Sequence, residues 1–348
     1  MAPAVLAVLL TAVVSVPAGA SLPDALARAR RGDTVALGAG VHRGSLGRVA
    51  ELTVTGEGEG ATVVEAPEGA PGAVVRGAVT FTGLTLRAGP AQCALVVDGG
   101  AAALRDVALA GGACGAAVSS GSLAAVRADL RGGRHGLVVR GGDARVDGGS
   151  LQGSLAGVAV EGGAAAISNA VVFGPSREAA VTVTGGDVAL SAVVIASPGP
   201  AGIAIAGGRV RAEAVTIGGA DRDGPSACVE ALGGEVTLSG SELVRCGGSG
   251  VAASGARVRL DGVDVEGGTS GCLALVGSAR GDLQGVRCTG RGPGLLLAGG
   301  ATAQLRMDRW LVDPALVVEC EKGSRATLLY GELVREPCAS SPGAGTGR

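Results

Sequence analysis

The densest set of groups able to do chemistry lies between positions 134 and 147: Arg134, His135, Arg140, Asp143, Arg145 and Asp147. A general base beside guanidinium groups that neutralise a uronate carboxylate suits β-elimination or epimerisation. The competing reading is a solvated face with local ion pairs. No aromatic residue lies in this stretch to stack a sugar ring, which favours the solvated face. The other histidine, His42, is distant in sequence. That argues against a histidine-based nucleophile triad, and His42 reads as a structural residue near the N-terminal cap.

Two acidic groupings come next. Asp221-Arg222-Asp223 falls in the one long insertion of the repeat described below. Inserted loops often carry function on a rigid scaffold, but DRDG is also ordinary turn composition. Asp261, Asp264 and Glu266 are the nearest approach to a Ca²⁺ ligand set. Strand alternation puts Asp264 and Glu266 on one face, flanking an inward Val265. An exposed strand gives the same pattern, so neither a cofactor nor a metal is expected, Ca²⁺ being the one ion this grouping suits.

Eight cysteines complete the inventory: Cys93, Cys114, Cys228, Cys246, Cys272, Cys288, Cys320 and Cys338. Taken as neighbours they pair 21, 18, 16 and 18 residues apart, close to one repeat or slightly less. In a coil such residues lie nearly above one another, ~4.8 Å apart, within reach of a disulfide. No CxxC spacing appears and the histidines are remote, so zinc is disfavoured. Cys246 with Cys272 stays open as an alternative pairing. Disulfides imply an oxidising compartment.

What must position these groups is a repeat. Gly77, Gly100, Gly121, Gly142, Gly163, Gly186, Gly208, Gly234, Gly255, Ser278, Gly300 and Gly323 mark turns 21 to 23 residues apart, except for one gap of 26 between Gly208 and Gly234. Before the turn come Val158-x-Val160, Val181-x-Val183 and Ile203-x-Ile205; after it come Val188-x-Leu190 and Val236-x-Leu238, then Val193-x-Ile195 and Val215-x-Ile217. Period-two alternation makes each a short strand with one inward face. Three strands per unit with glycine corners describe a triangular coil. The residue after the second strand's inward anchor reads Arg105, Arg127, Asp147, Ser168, Ser191, Glu213, Ser239, Asp261, Gln284 and Arg306, a polar column facing solvent. Twelve such turns give a rod about 55–60 Å long.

Composition agrees. Glycine supplies 65 of 348 residues and aromatics only 1 %, too few to fill a globular centre. A formal charge of −2 gives no field to attract nucleic acid. Residues 1–20 are apolar and end Ala18-Gly19-Ala20, as at a secretory cleavage site, though no basic residue precedes the run. Glycine and charge interrupt every later apolar run, so no membrane span is expected after cleavage. Ser21 and the face of Leu22, Ala25, Leu26 and Ala29 suit a capping helix. Trp310, Tyr330 and Cys320–Cys338 are placed to seal the far end.

The stretch Gly32-Asp33-Thr34-Val35 followed by Gly38-Ala39-Gly40-Val41-His42 resembles the opening of pectin-lyase-like right-handed parallel β-helix proteins, in which a tyrosine stands where His42 does. The resemblance implies right-handed winding. That family includes lyases, hydrolases, epimerases, carbohydrate-binding modules and surface proteins, so its fold does not carry a function with it. Its pectate lyases use clustered Asp residues for Ca²⁺ and an Arg base, and its polygalacturonases use Asp carboxylates from adjacent coils. Neither pattern is recognisable here.

The sequence is therefore read as all-β, a single-stranded right-handed parallel β-helix of about 12 coils with a short N-terminal capping helix. Residues 1–20 are a signal peptide, 21–45 the cap and leading strand, 46–338 the helix and 339–348 a disordered tail. The expected role is an exported, disulfide-stabilised, non-enzymatic scaffold, periplasmic, cell-surface or extracellular, with polysaccharide or a cell-envelope component as partner. The alternative is a polysaccharide lyase or epimerase working on an outer face at 134–147 or in the loop at 218–226.

Overall fold

A computed structural model describes residues 11–174, 178–196, 199–219, 227–290, 292–306, 311–312, 318–330, 333–335 and 338. The chain winds as a parallel β-solenoid of about 13 turns with one short helix, close to the expected coil count. A lap such as Val181–Val183, Asp187–Ser191 and Val194–Ala196 contributes three strands, while Cys93–Gly111 and Cys114–Gly132 each run unbroken over all three faces. Each strand pairs in parallel with its counterpart one lap on. The three stacks are called here the first, second and third faces, in chain order.

Alternation builds the core directly. On the first face Val158 and Val160 sit over Val181 and Val183, then over Ile203 and Ile205, all at most 1 % exposed. The second face adds pairs such as Val188 and Leu190, and the third adds Val172, Ile195, Ile217 and Leu243. Three narrow columns meet at the axis, so aliphatic side chains fill the space and, among the described residues, a single aromatic, Phe81, lies inside. His42 is fully buried, its Nε2 bonded to the Gly38 carbonyl at 2.8 Å.

The corner between first and second faces explains the glycine period. Gly121, Gly142, Gly163, Gly186, Gly208 and Gly234 all have φ between 73° and 84°, in the left-handed region. A Cβ on any of them would also meet the carbonyl oxygen of the glycine one lap earlier at 2.0 to 2.4 Å. Conformation and close backbone approach both exclude a side chain there.

The bend between second and third faces is more permissive. It too uses a left-handed residue in each lap, yet Asp106, Arg127, Asn169, Ala192 and Ala214 occupy it with φ of 50° to 54°. This corrects the expected polar column at one place. Val126, half-buried, pairs with Arg105 and Asp147 in that column, while Arg127 is the bend residue. Its guanidinium reaches the Asp106 carboxylate at 2.7 and 2.8 Å. This contact holds the carboxyl of Asp106 below its ordinary range. A small Ala125 at the second inward position makes the shift invisible in the pattern.

At the N-terminal end, helix Leu22–Arg28 is capped by Ser21, whose Oγ accepts from the Asp24 amide at 3.4 Å. Leu22 and Ala25 are buried, and Leu26 and Ala29 pack beside them. Val13–Val16, inside the segment expected as a leader, pairs in parallel with Thr34–Leu37. The Asp33 carboxylate ties this rung down, accepting from the amides of Arg30 and Ala12 at 2.7 and 2.9 Å, and those bonds lower its pKa. At the other end Arg325–Tyr330 pairs antiparallel with Leu333–Arg335, which covers the edge of the second face. Trp310 and the tail 339–348 lie outside the described residues.

All four neighbouring cysteine pairs are bonded, which closes the Cys246–Cys272 alternative. Only Cys93–Cys114 is vertical, joining directly opposed residues of adjacent laps with Cα atoms 4.3 Å apart. Cys228 precedes a first-face strand and Cys246 follows the third-face strand of the same lap, so that bond ties a lap's start to its end. Cys272–Cys288 does the same through the interior, both residues being fully buried. Expecting every pair to stack lap on lap was wrong for these two, whose separations of 18 and 16 fall short of a full turn.

Two measurements check this architecture. Gly186→Ala should cost roughly 3 kcal/mol in urea unfolding, from left-handed strain plus the carbonyl clash. Gly240→Ala, at the permissive bend with nothing within 4 Å, should cost no more than about 1 kcal/mol. Non-reducing peptide mapping should recover the four pairs, and the double variant Cys272→Ser, Cys288→Ser should lose about 3 kcal/mol.

Candidate functional site

The residues at 134–147 are distributed over two faces and a corner. His135 begins a first-face strand, His135–Val139, and is half-buried. Arg140 stands at the glycine corner and pairs with Glu161 at 3.4 Å. Asp143, Arg145 and Asp147 alternate outward along the second face, as their spacing predicts. Asp147 accepts from Asn169 Nδ2 at 2.7 Å and Ser168 Oγ at 2.9 Å, and these bonds lower its pKa. It pins a bend in the next lap. The six residues thus share a neighbourhood but not one cavity. Asp221 and Asp223 lie outside the described residues.

The later acidic grouping splits in the same way. Asp261 faces out from the second face, whereas Asp264 and Glu266 flank inward Val265 on the third. There they border a hollow of about 190 Å³ with Glu242, Arg287 and Thr289. Arg287 neutralises Asp264 at 3.2 Å, and Glu266 accepts from the Arg245 amide at 3.2 Å. Among the described residues, no group of three potential ligands could hold a metal ion.

Followed along the rod, the third face carries a graded strip. One outward column runs Asp129, Ser150, Val171, Val194, Thr216, Glu242, Asp264, Arg287. Beside it run Arg131, Gln152, Phe173, Ala196, Gly218 and Val244. Phe173 and Val194 are 40 % and 47 % exposed, on a sheet whose other side is the core. Ala196 and Gly218 follow Phe173 in this column as small, half-buried residues, and the Val244 side chain packs over Gly218. Charged and polar groups close the strip at both ends, about 34 Å apart for seven strand spacings.

The near end adds a residue that sequence reading did not single out. Glu59 lies in the loop after Gly58, and its carboxyl is pushed up by partial withdrawal from water and then by the Asp129 charge, while Arg131 opposes the shift. Asp129 itself accepts from Ser150 Oγ at 2.6 Å and pairs with Arg131 at 3.0 Å. The meeting of residues 70 positions apart follows from lap stacking and has no local signature. Phe173 did have one. In Val171-Val172-Phe173 the inward residue is Val172, so the alternation turns the ring outward.

An exposed aromatic beside small residues, with hydroxyl- and carboxylate-bearing neighbours, can stack the apolar face of a sugar ring and bond its hydroxyl groups. The strip is long enough for several rings in line.

No family model and no curated protein matches the sequence. Solved structures do. Tailspike protein 3 of bacteriophage CBA120 is similar at TM-score 0.51 and 14 % identity, over 91 % of this chain and 59 % of that one. The Agl-KA catalytic domain is similar at TM-score 0.53 and 11 % identity, over 88 % and 64 %. The fold is pectin-lyase-like. The chain spans about three fifths of the length of those two structures, and at such identities the pectin-lyase-like likeness is one of fold.

The electrostatics of His135 offer a direct check of this geometry. Burial lowers its pKa first, the Arg134 guanidinium adds to that, and Glu178 and Glu161 act the other way. In an NMR titration one imidazole should therefore titrate below the ordinary histidine range, and Arg134→Gln should move its midpoint upward.

Proposed function

We propose that this chain is an exported, disulfide-stapled binding scaffold that lays a polysaccharide strand along its third face. The observation that carries the reading is the exposed pair Phe173 and Val194 on an otherwise regular outer sheet, continued by the small residues Ala196 and Gly218. Four disulfides support export to an oxidising compartment, whether periplasm, cell surface or medium. No described helix is long and apolar enough to cross a membrane. Cleavage after Ala20 belongs to the same proposal, and it would uncover the edge of Thr34–Leu37.

One observation favours a second reading, that of a carbohydrate-active enzyme. The Glu59 carboxyl, pushed up by partial withdrawal from water and then by the Asp129 charge, has the direction of shift that the proton donor of a carboxyl pair needs. The lyase or epimerase alternative built on His135, Arg140, Asp143 and Arg145 has no such convergence behind it.

Affinity electrophoresis and calorimetry against a panel of neutral and acidic polysaccharides test the binding reading. Phe173→Ala should weaken the best ligand about tenfold, the value of a stacked ring, and leave the melting temperature unchanged. Assays for new reducing ends and for unsaturated ends should show no turnover. Turnover abolished by Glu59→Gln would replace the scaffold with the enzyme.

A further inference from the structure

The second face carries a charge arrangement that the sugar-binding strip does not use. Its outward residues follow the ladder, so Arg257 stands directly opposite Arg280 on the next lap, with Arg259 two residues along the same strand. Like charges directly opposed across a ladder repel. Two laps before Arg257 an arginine of this face is matched: Arg209 bridges Asp187 and Glu235, at 3.2 Å each. The side chains of Arg257, Arg259 and Arg280 make no ion pair or hydrogen bond with any described residue, and all three are exposed. Together they border a hollow of about 240 Å³.

Two carboxylates share that border and leave it one positive charge in excess. Glu235 stands opposite Arg257 in register but is engaged by Arg209. Asp282 is opposite Arg259 in register but makes no ion pair with it. Three guanidinium forks therefore border one hollow with their donors unspent.

We propose that this hollow binds a tetrahedral oxyanion, a sulfate or phosphate ester borne on a polymer. The geometry favours that chemistry over a carboxylate. One guanidinium satisfies both oxygens of a carboxylate in a bidentate pair. Three forks suit a group with three free oxygens, and such a group relieves the repulsion between Arg257 and Arg280. This site is on a different face from Phe173 and does not rest on the reading given above.

Dextran, dextran sulfate, dextran phosphate and polygalacturonate differ in charged group while remaining soluble polymers, and calorimetry with the full chain can rank them. Dextran sulfate, dextran phosphate or both should bind, and more weakly as salt rises. The triple variant Arg257→Gln, Arg259→Gln, Arg280→Gln should lose at least about tenfold in that affinity, because each charge-assisted bond is strong. Arg145→Gln on the same face and Phe173→Ala on the third should leave it unchanged. The triple variant should melt no lower than wild type, since a repulsive contact has been removed. Binding to one ester alone identifies that ester as the ligand, and binding to both identifies the shared oxyanion. Equal affinity for polygalacturonate, no binding to either ester, or a triple variant that binds like wild type would overturn the proposal.

Discussion

Backbone lying on backbone at one corner of each lap from Gly100 to Gly234 is the constraint on which the middle of this molecule depends. Where the first face turns into the second, a glycine amide plane sits against the carbonyl of the glycine before it, closer than any Cβ allows. That contact holds the laps at strand spacing, and everything else is registered by it. Inward side chains stack like on like, hydrogen bonds run lap to lap, and outward side chains fall into straight columns. The opposite bend shows what happens without the contact: alanine, asparagine, aspartate and arginine all take the same left-handed turn.

A narrow core has a further effect. Small and branched aliphatics fill it, so large side chains are displaced to the outside or absent. One exposed ring on a flat sheet is then conspicuous in a way it would not be on a globular protein. The second and third faces divide the surface chemistry between them. The second carries charges of both signs, bridged at Arg209 and like-on-like at Arg257 and Arg280. The third grades from carboxylates through an apolar middle back to carboxylates.

Much of this was legible because the signals are local. Two-residue alternation in Val181-x-Val183 and a glycine every lap fix strand, corner and inward face without any knowledge of the third dimension. The cysteine partners were legible too, since their spacing is close to the repeat. Their direction was not: a span of 16 or 18 residues, rather than 21, is what separates a bond within a lap from one between laps. Arg127 was misplaced because Ala125 and Val126 are both apolar, leaving the bend one residue ambiguous. The approach of Glu59 to Asp129 and the opposition of Arg257 to Arg280 arise only when laps are stacked, so no window along the chain contains them.

The two bonds that tie a lap to itself change how the coil can come apart. Neighbouring laps touch only each other, so an unfastened end is free to unwind one circuit at a time. Cys228–Cys246 and Cys272–Cys288 convert two circuits into closed hoops. A protease that nicks the backbone inside a hoop leaves both fragments joined, and a chain drawn out from its C-terminal end must stop lengthening at each one. The rod is thus fitted with arrestors near its distal third, where tension or digestion entering from that end would first be felt.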